Sequence, residues 1–118
     1  MYGEIKIGNT TVPMLAMAST DIYYKRIFHE DPLKIQMEAY KNEDMAAQVD
    51  MTMKLGFVMA KFYQLKTASK MRELNEDDYV DWLDQFGREE LVDALGDIRS
   101  IYEGQQIGTS EAKKSKDD

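Results

Sequence analysis

Apolar and polar residues alternate at the start of the chain: Glu4-Ile5-Lys6-Ile7, then Gly8-Asn9, then Thr10-Thr11-Val12-Pro13-Met14. A period of two belongs to a half-buried strand, and a two-residue connection with glycine first belongs to a hairpin turn. The alternation predicts a β-hairpin over about 3–14. Ile7 would face Thr10, Lys6 Thr11, Ile5 Val12 and Gly3 Met14, so that Ile5, Ile7, Val12 and Met14 share one face. Pro13 has no N–H for a ladder, which puts its strand at an edge or ends it there. A lone hairpin is marginal in water, so the apolar face must rest on the elements that follow.

The period then lengthens to that of helices. Ser19-Thr20-Asp21 offers hydroxyl caps and an acidic first turn, predicting a helix over about 20–30 that carries Ile22, Tyr23, Ile27 and Phe28. It should stop near Asp31-Pro32, because a residue before proline avoids helical backbone. Leu33, Ile35 and Met37 alternate like a strand, yet a short helix fits Leu33–Tyr40 equally well. Asn42 is a candidate cap for a long helix over about 43–66. Wound at about 100° per residue, that helix has a polar stripe of Asp50, Lys54, Lys61 and Gln64. Met45, Val49, Met53, Gly56, Ala60 and Tyr63 form one apolar side, and Met51, Leu55, Val58, Phe62 and Leu65 a second. Two apolar sides imply a central helix packed on more than one flank. Gly56 costs about 1 kcal/mol of helix propensity against alanine, which a close helix–helix or helix–strand approach would explain.

Asn75 ahead of Glu76-Asp77-Asp78 reads as an N-cap with an acidic first turn, opening a helix over about 76–86. Tyr79, Trp82, Leu83 and Phe86 follow at i, i+3, i+4, i+7, and Gly87 is placed to end it. A last helix over about 88–103 shows Leu91, Ala94, Leu95, Ile98, Ile101 and Tyr102. After that the apolar content collapses, and 104–118 reads as a disordered polar tail. The fold expected is mainly α: one globular domain over 1–103, with a short N-terminal β-hairpin packed on the helices.

Composition narrows what such a domain does. At 118 residues there is room for one core. The absence of cysteine removes disulfides and thiol nucleophiles. Met1 to Ile7 lacks the long apolar stretch of a signal peptide, and no apolar run approaches the ~20 residues of a membrane span. A net charge of −7 argues against nucleic acid and anionic membranes as partners. The only histidine, His29, has no second nitrogen ligand or nucleophile in view and reads as a helix-end residue. The carboxylates of Asp77, Asp78, Asp81, Asp84, Glu89 and Glu90 lack the spacing of a calcium loop. They read as a solvated face and, at most, a docking patch for a basic segment. Catalytic, cofactor-binding and metal-binding residues are therefore all expected to be absent.

Methionine is the unusual feature, with nine in the chain and Met45, Met51, Met53 and Met59 in one expected helix. Flexible thioethers suit adaptable binding surfaces, and they also fill cores. Phe57 interrupts the polar stripe, so it is either covered by another element or waiting for a partner. Trp82 reads as core. The candidate partner-binding residues are Met45, Met53, Phe57, Met59, Asp77, Asp78 and Asp81, and self-association is an option for the apolar excess on the central helix.

Taken in order, the segments have a familiar arrangement. The Glu4-to-Asn9 hairpin is followed by a long helix through Leu55-Gly56-Phe57-Val58, then by Val80-Asp81-Trp82-Leu83-Asp84-Gln85-Phe86. The closing helix Leu91 to Tyr102 runs into a Thr-Ser/Lys-rich end. The chain resembles the tail assembly chaperones of siphophages and prophages of Gram-positive bacteria. The resemblance implies a non-catalytic protein of the bacterial host cytoplasm that binds the tape measure protein, and the major tail protein, during tail morphogenesis and is absent from the mature virion. It also implies that a longer, frameshifted form can exist; Ala112-Lys113-Lys114 is compatible with a slippery codon run. The alternative is a structural phage component, such as a head–tail connector or minor tail protein, retained in the particle.

Overall fold

In the computed structural model of the chain the two strands, β1 (Tyr2–Ile7) and β2 (Thr10–Leu15), pair antiparallel in the register the alternation dictates. Ile5 lies opposite Val12 and Gly3 opposite Met14, and Gly8 takes φ 63° in the connecting turn. Ile5, Ile7, Val12 and Met14 are all buried on the face turned to the helices. The structure describes residues 1–104 with their side chains and 105–117 only as backbone of the last helix. The tail expected over 104–118 therefore lies, Gly104 apart, outside the fully described residues.

The helices are α1 (Thr20–Phe28), α2 (Pro32–Asn42), α3 (Met45–Leu65), α4 (Ala68–Met71), α5 (Glu76–Leu83) and α6 (Arg88–Asp117). The mainly helical fold with an N-terminal hairpin is as expected. β2 lies along α3 and β1 along α6, while α1, α2, α4 and α5 are arranged around α3. A two-sided apolar helix needs this setting, because each apolar side has its own cover.

Several boundaries differ from the sequence reading, each for a local reason. The first helix stops at Phe28, not at Asp31-Pro32, because His29 turns left-handed at φ 57° and its N–H bonds back to the Lys25 carbonyl at 2.9 Å. Pro32 then opens α2 instead of closing α1: its missing N–H costs nothing at a first helical position. Asp31 caps that helix, accepting the Leu33 N–H at 3.0 Å. The Leu33–Tyr40 ambiguity resolves as helix. Asn42 is the last residue of α2 and not the cap of the long helix; Asp44 has that role, accepting the Ala47 N–H at 3.1 Å. Ser19 makes no side-chain cap bond, and Thr20 Oγ1 accepts from the Met17 N–H instead.

α4 was not expected. α5 ends at Leu83, short of Phe86, and Gly87 heads the next helix: its carbonyl accepts the Leu91 N–H and its N–H donates to Glu90 Oε1 at 2.8 Å. At the other end of α5 the Asn75 cap is reciprocal, with Asn75 Oδ1 accepting the Asp78 N–H and Asp78 Oδ2 accepting the Asn75 N–H.

Gly56 sits where α3 meets α6. A Cβ there would stand 3.1 Å from the Ile98 Cδ1 atom and 3.6 Å from the Trp82 ring. The helical glycine thus marks a close approach of two helices. Next to it, Phe57 is the hub of an aromatic cluster, with ring centroids 6.2 Å from Phe28, 5.5 Å from Tyr79 and 5.9 Å from Trp82, all edge-on. Such pairs add about 0.5–1.5 kcal/mol each beyond the area they bury.

Candidate functional site

α3 is covered unevenly. Its middle is enclosed by the hairpin, α1, α5 and α6, and Leu55 to Ala60 is a continuous buried run. Its first turns project beyond that cover. There Met45, Val49 and Met53, spaced four apart, line up along one side of the helix and form one wall of an open groove of about 650 Å³. Leu83 at the end of α5 and Phe86 after it, with Leu91 and Val92 from the first turns of α6, form the other wall. Met45 is 69% exposed and Val92 46% exposed, so the groove is lined by apolar side chains in contact with water. Asp50 and Arg88 are the charged residues on its lining.

A second exposed apolar stripe runs along α2. Leu33, Met37 and Tyr40 follow at i, i+4, i+7, and Tyr40 is 83% exposed. With Gln36, Gln48 and Arg99 they frame a smaller hollow of about 350 Å³. The Arg99 guanidinium is held by Glu103 at 2.6 Å and by the Gln48 amide at 3.0 Å.

Charge is segregated as well. Residues 76–97 hold nine carboxylates, from Glu76 to Asp97, against the single guanidinium of Arg88, a net −8. The whole chain carries −7, so everything outside this segment sums to +1. The segment supplies the α5–α6 wall of the groove. Glu89 and Asp93 are exposed neighbours of Val92 on the helix surface, and Asp84 is exposed beside Leu83.

In the polar stripe of α3, Asp50 and Gln64 are exposed but Lys54 is largely covered. Lys54 Nζ reaches Glu30 Oε1 at 2.7 Å and Asp50 Oδ2 at 2.8 Å, and lies 5.1 Å from the centre of the Phe28 ring. The buried Tyr24 hydroxyl donates to Glu30 at 3.0 Å. Burial alone would lower the affinity of Lys54 for its proton, but the bonds to Asp50 and Glu30 raise it. Burial likewise opposes ionisation of Glu30, and the bonds from Lys54 and Tyr24 outweigh it, holding the carboxyl below its usual value. Burial and the Glu30 bond push the Tyr24 hydroxyl well above the ordinary tyrosine range. The network ties α1 to α3 and has the character of a structural brace.

The residues singled out in the sequence fall into three groups. Met45 and Met53 line the groove. Phe57 and Met59 are fully buried, which corrects their reading as surface candidates: α1, α5 and α6 cover the positions that projection along one helix left open. Asp77 and Asp81 are exposed on α5 away from the groove lining, and Asp78 is tied up in the Asn75 cap. Leu83, Phe86, Leu91 and Val92 were not recognised as site residues. Val92 carried the one available signal, an apolar residue off the buried side of its helix and next to a turn.

Comparison of the chain with protein families, with curated proteins and with solved structures found no match. The site is therefore read from its own chemistry. Among the described residues no three His, Asp or Glu side chains converge as metal ligands would, and no helix is long and apolar enough to cross a membrane. His29 is exposed at the end of α1. What the surface does offer is apolar area in a concave setting beside a strongly acidic wall. Exposed apolar grooves are places where proteins take up ligands or meet other proteins.

Proposed function

We propose that this chain is a non-catalytic assembly chaperone that binds the tape measure protein, and the major tail protein, while a phage tail is built in the host cytoplasm, and that it leaves before the particle is complete. The observation that carries the reading is the open apolar groove of about 650 Å³ between α3 and the α5–α6 junction. A long helical rod exposes apolar seams until its surrounding tube forms, and a binder that covers them keeps the rod out of aggregates by mass action. Net negative charge keeps the binder itself dispersed. The arrangement of segments that resembles the tail assembly chaperones supplies the identity of the partner.

Co-expression with the tape measure protein tests the proposal. The expected result is co-purification of the two chains and a severalfold rise in soluble tape measure protein. An unchanged soluble fraction together with no co-purification overturns it. Abundant copies of the chain in purified particles, read by mass spectrometry, would instead favour a structural component of the virion.

A further inference from the structure

We infer that the groove between the first turns of α3 and the α5–α6 junction is the docking site for one amphipathic helix of the partner, with lysine or arginine flanking its apolar stripe. The inference deepens the assembly reading and rests on it for the existence of a polypeptide partner. Its first support is shape. Met45, Val49 and Met53 form a rib about 12 Å long at 1.5 Å per residue. Apolar side chains at i, i+4 and i+7 on a facing helix span about 10.5 Å, which matches that rib.

An extended peptide that bound by adding a strand would need a sheet edge, whose free N–H and C=O groups it could pair with. Both walls here come from helices and the turn between them, and the helical backbone is already bonded to itself.

The second support is charge. The wall that carries Leu83 to Val92 belongs to the segment of net −8, in a chain otherwise close to neutral. The lining itself carries one charge of each sign, Asp50 and Arg88, while Asp84, Glu89 and Asp93 are exposed on the same segment, next in sequence or one helical turn from the lining residues Leu83 and Val92. Such an arrangement speeds encounter with a basic partner and rejects an acidic one. The chain's own end does not fit the groove: in 105–118 only Ile107 and Ala112 are apolar, and positions i+4 and i+7 from Ile107 are Glu111 and Lys114. The longest exposed apolar stripe a second copy could offer is α2, where Lys34, Glu38 and Lys41 flank Leu33, Met37 and Tyr40 with charges of both signs, so that it lacks the uniform positive flank the acidic wall favours.

The test uses the full chain and two labelled helical peptides with the same leucine stripe, one flanked by lysine and one by glutamate, titrated by fluorescence anisotropy. The lysine peptide should bind at least ten-fold tighter, and the difference should shrink in 0.5 M salt. The double variant Met45→Ser/Val92→Ser should lose at least ten-fold in affinity with its circular dichroism spectrum unchanged. Leu33→Ser/Met37→Ser on α2 should bind as the wild type does. Equal affinity for the two peptides, an unaffected groove variant, or loss of binding in the α2 variant overturns the inference. So does self-association in sedimentation velocity that the groove variant abolishes, since the groove would then belong to a second copy.

Co-expression separates the two proposals. If the tape measure protein co-purifies equally with wild type and groove variant, the chaperone reading stands and the groove assignment fails. If the lysine peptide binds as expected but the tape measure protein does not co-purify, the groove stands and the chaperone reading fails.

Discussion

Met51 and Met59 on α3 are 2% and 0% exposed, whereas Met45, under two turns ahead of Met51, is 69% exposed. One helix, rich in one residue type, thus runs from a sealed core into a surface groove. The difference lies in the neighbours. The hairpin, α1, α5 and α6 converge on the later turns, where Gly56 lets α6 come close and Phe57 anchors three other rings. Over the first turns α2 packs on one flank, and among the described residues the side with Met45, Val49 and Met53 stays open. Methionine content alone therefore does not mark a binding surface; methionine at the open end of a helix whose other end is enclosed does.

The contrast can be broken most forcefully in the enclosed half. Phe57→Ala should cost about 3–5 kcal/mol of stability in a denaturant titration, and a cost below about 1 kcal/mol would mean that the enclosed half is no core. Gly56→Leu comes next: its side chain must displace Ile98 and the Trp82 ring, for about 1–3 kcal/mol. A neutral result there would show that α3 and α6 are not held at that approach.

Glu30→Gln probes the brace near the boundary between the halves. The carboxylate is about a third exposed, so its loss should cost only about 1 kcal/mol. Because its folded pKa is lowered, its stabilisation is fully present above the ordinary 4.5 and is lost as pH falls through the lower folded value. Stability of wild type and variant should therefore converge on acidification below about pH 4.5, and a gap that persists under acid would assign the effect to packing. Met45→Ala, at the open end, should change stability by no more than about 0.5 kcal/mol. A larger loss in thermal unfolding would place Met45 in the core and erase the contrast.

How much of this was legible in the sequence follows from how local each signal is. The hairpin register was readable because alternation and the Gly8-Asn9 turn act on neighbouring residues. The Asn75 cap and the close approach at Gly56 were readable for similar reasons. Asn42 misled because two capping residues, Asn42 and Asp44, lie two apart, and the left-handed Glu43 between them decides which one opens the helix. Phe57 defeated single-helix projection because it interrupts the polar stripe at the point that Phe28 of α1 and Tyr79 of α5 cover. Of the groove, the Met45-Val49-Met53 wall was visible as one apolar side. The facing wall was not, since the α5–α6 junction brings Leu83, Phe86 and Val92 opposite it only in three dimensions.

His29, which caps the end of α1, and Glu43, which caps the end of α2, are both left-handed without being glycine, at φ 57° and 53°. A residue with a side chain gives up about 1–2 kcal/mol to stay there. Each is a helix C-cap whose N–H bonds back into its own helix, His29 to the Lys25 carbonyl and Glu43 to those of Ala39 and Tyr40, so the two joints fix where α1 and α2 end. In native-state hydrogen exchange the amides of α2 should open ahead of those of the enclosed turns of α3. The helix that carries Leu33, Met37 and Tyr40 would then exchange on a clock of its own while the core beneath it stays shut.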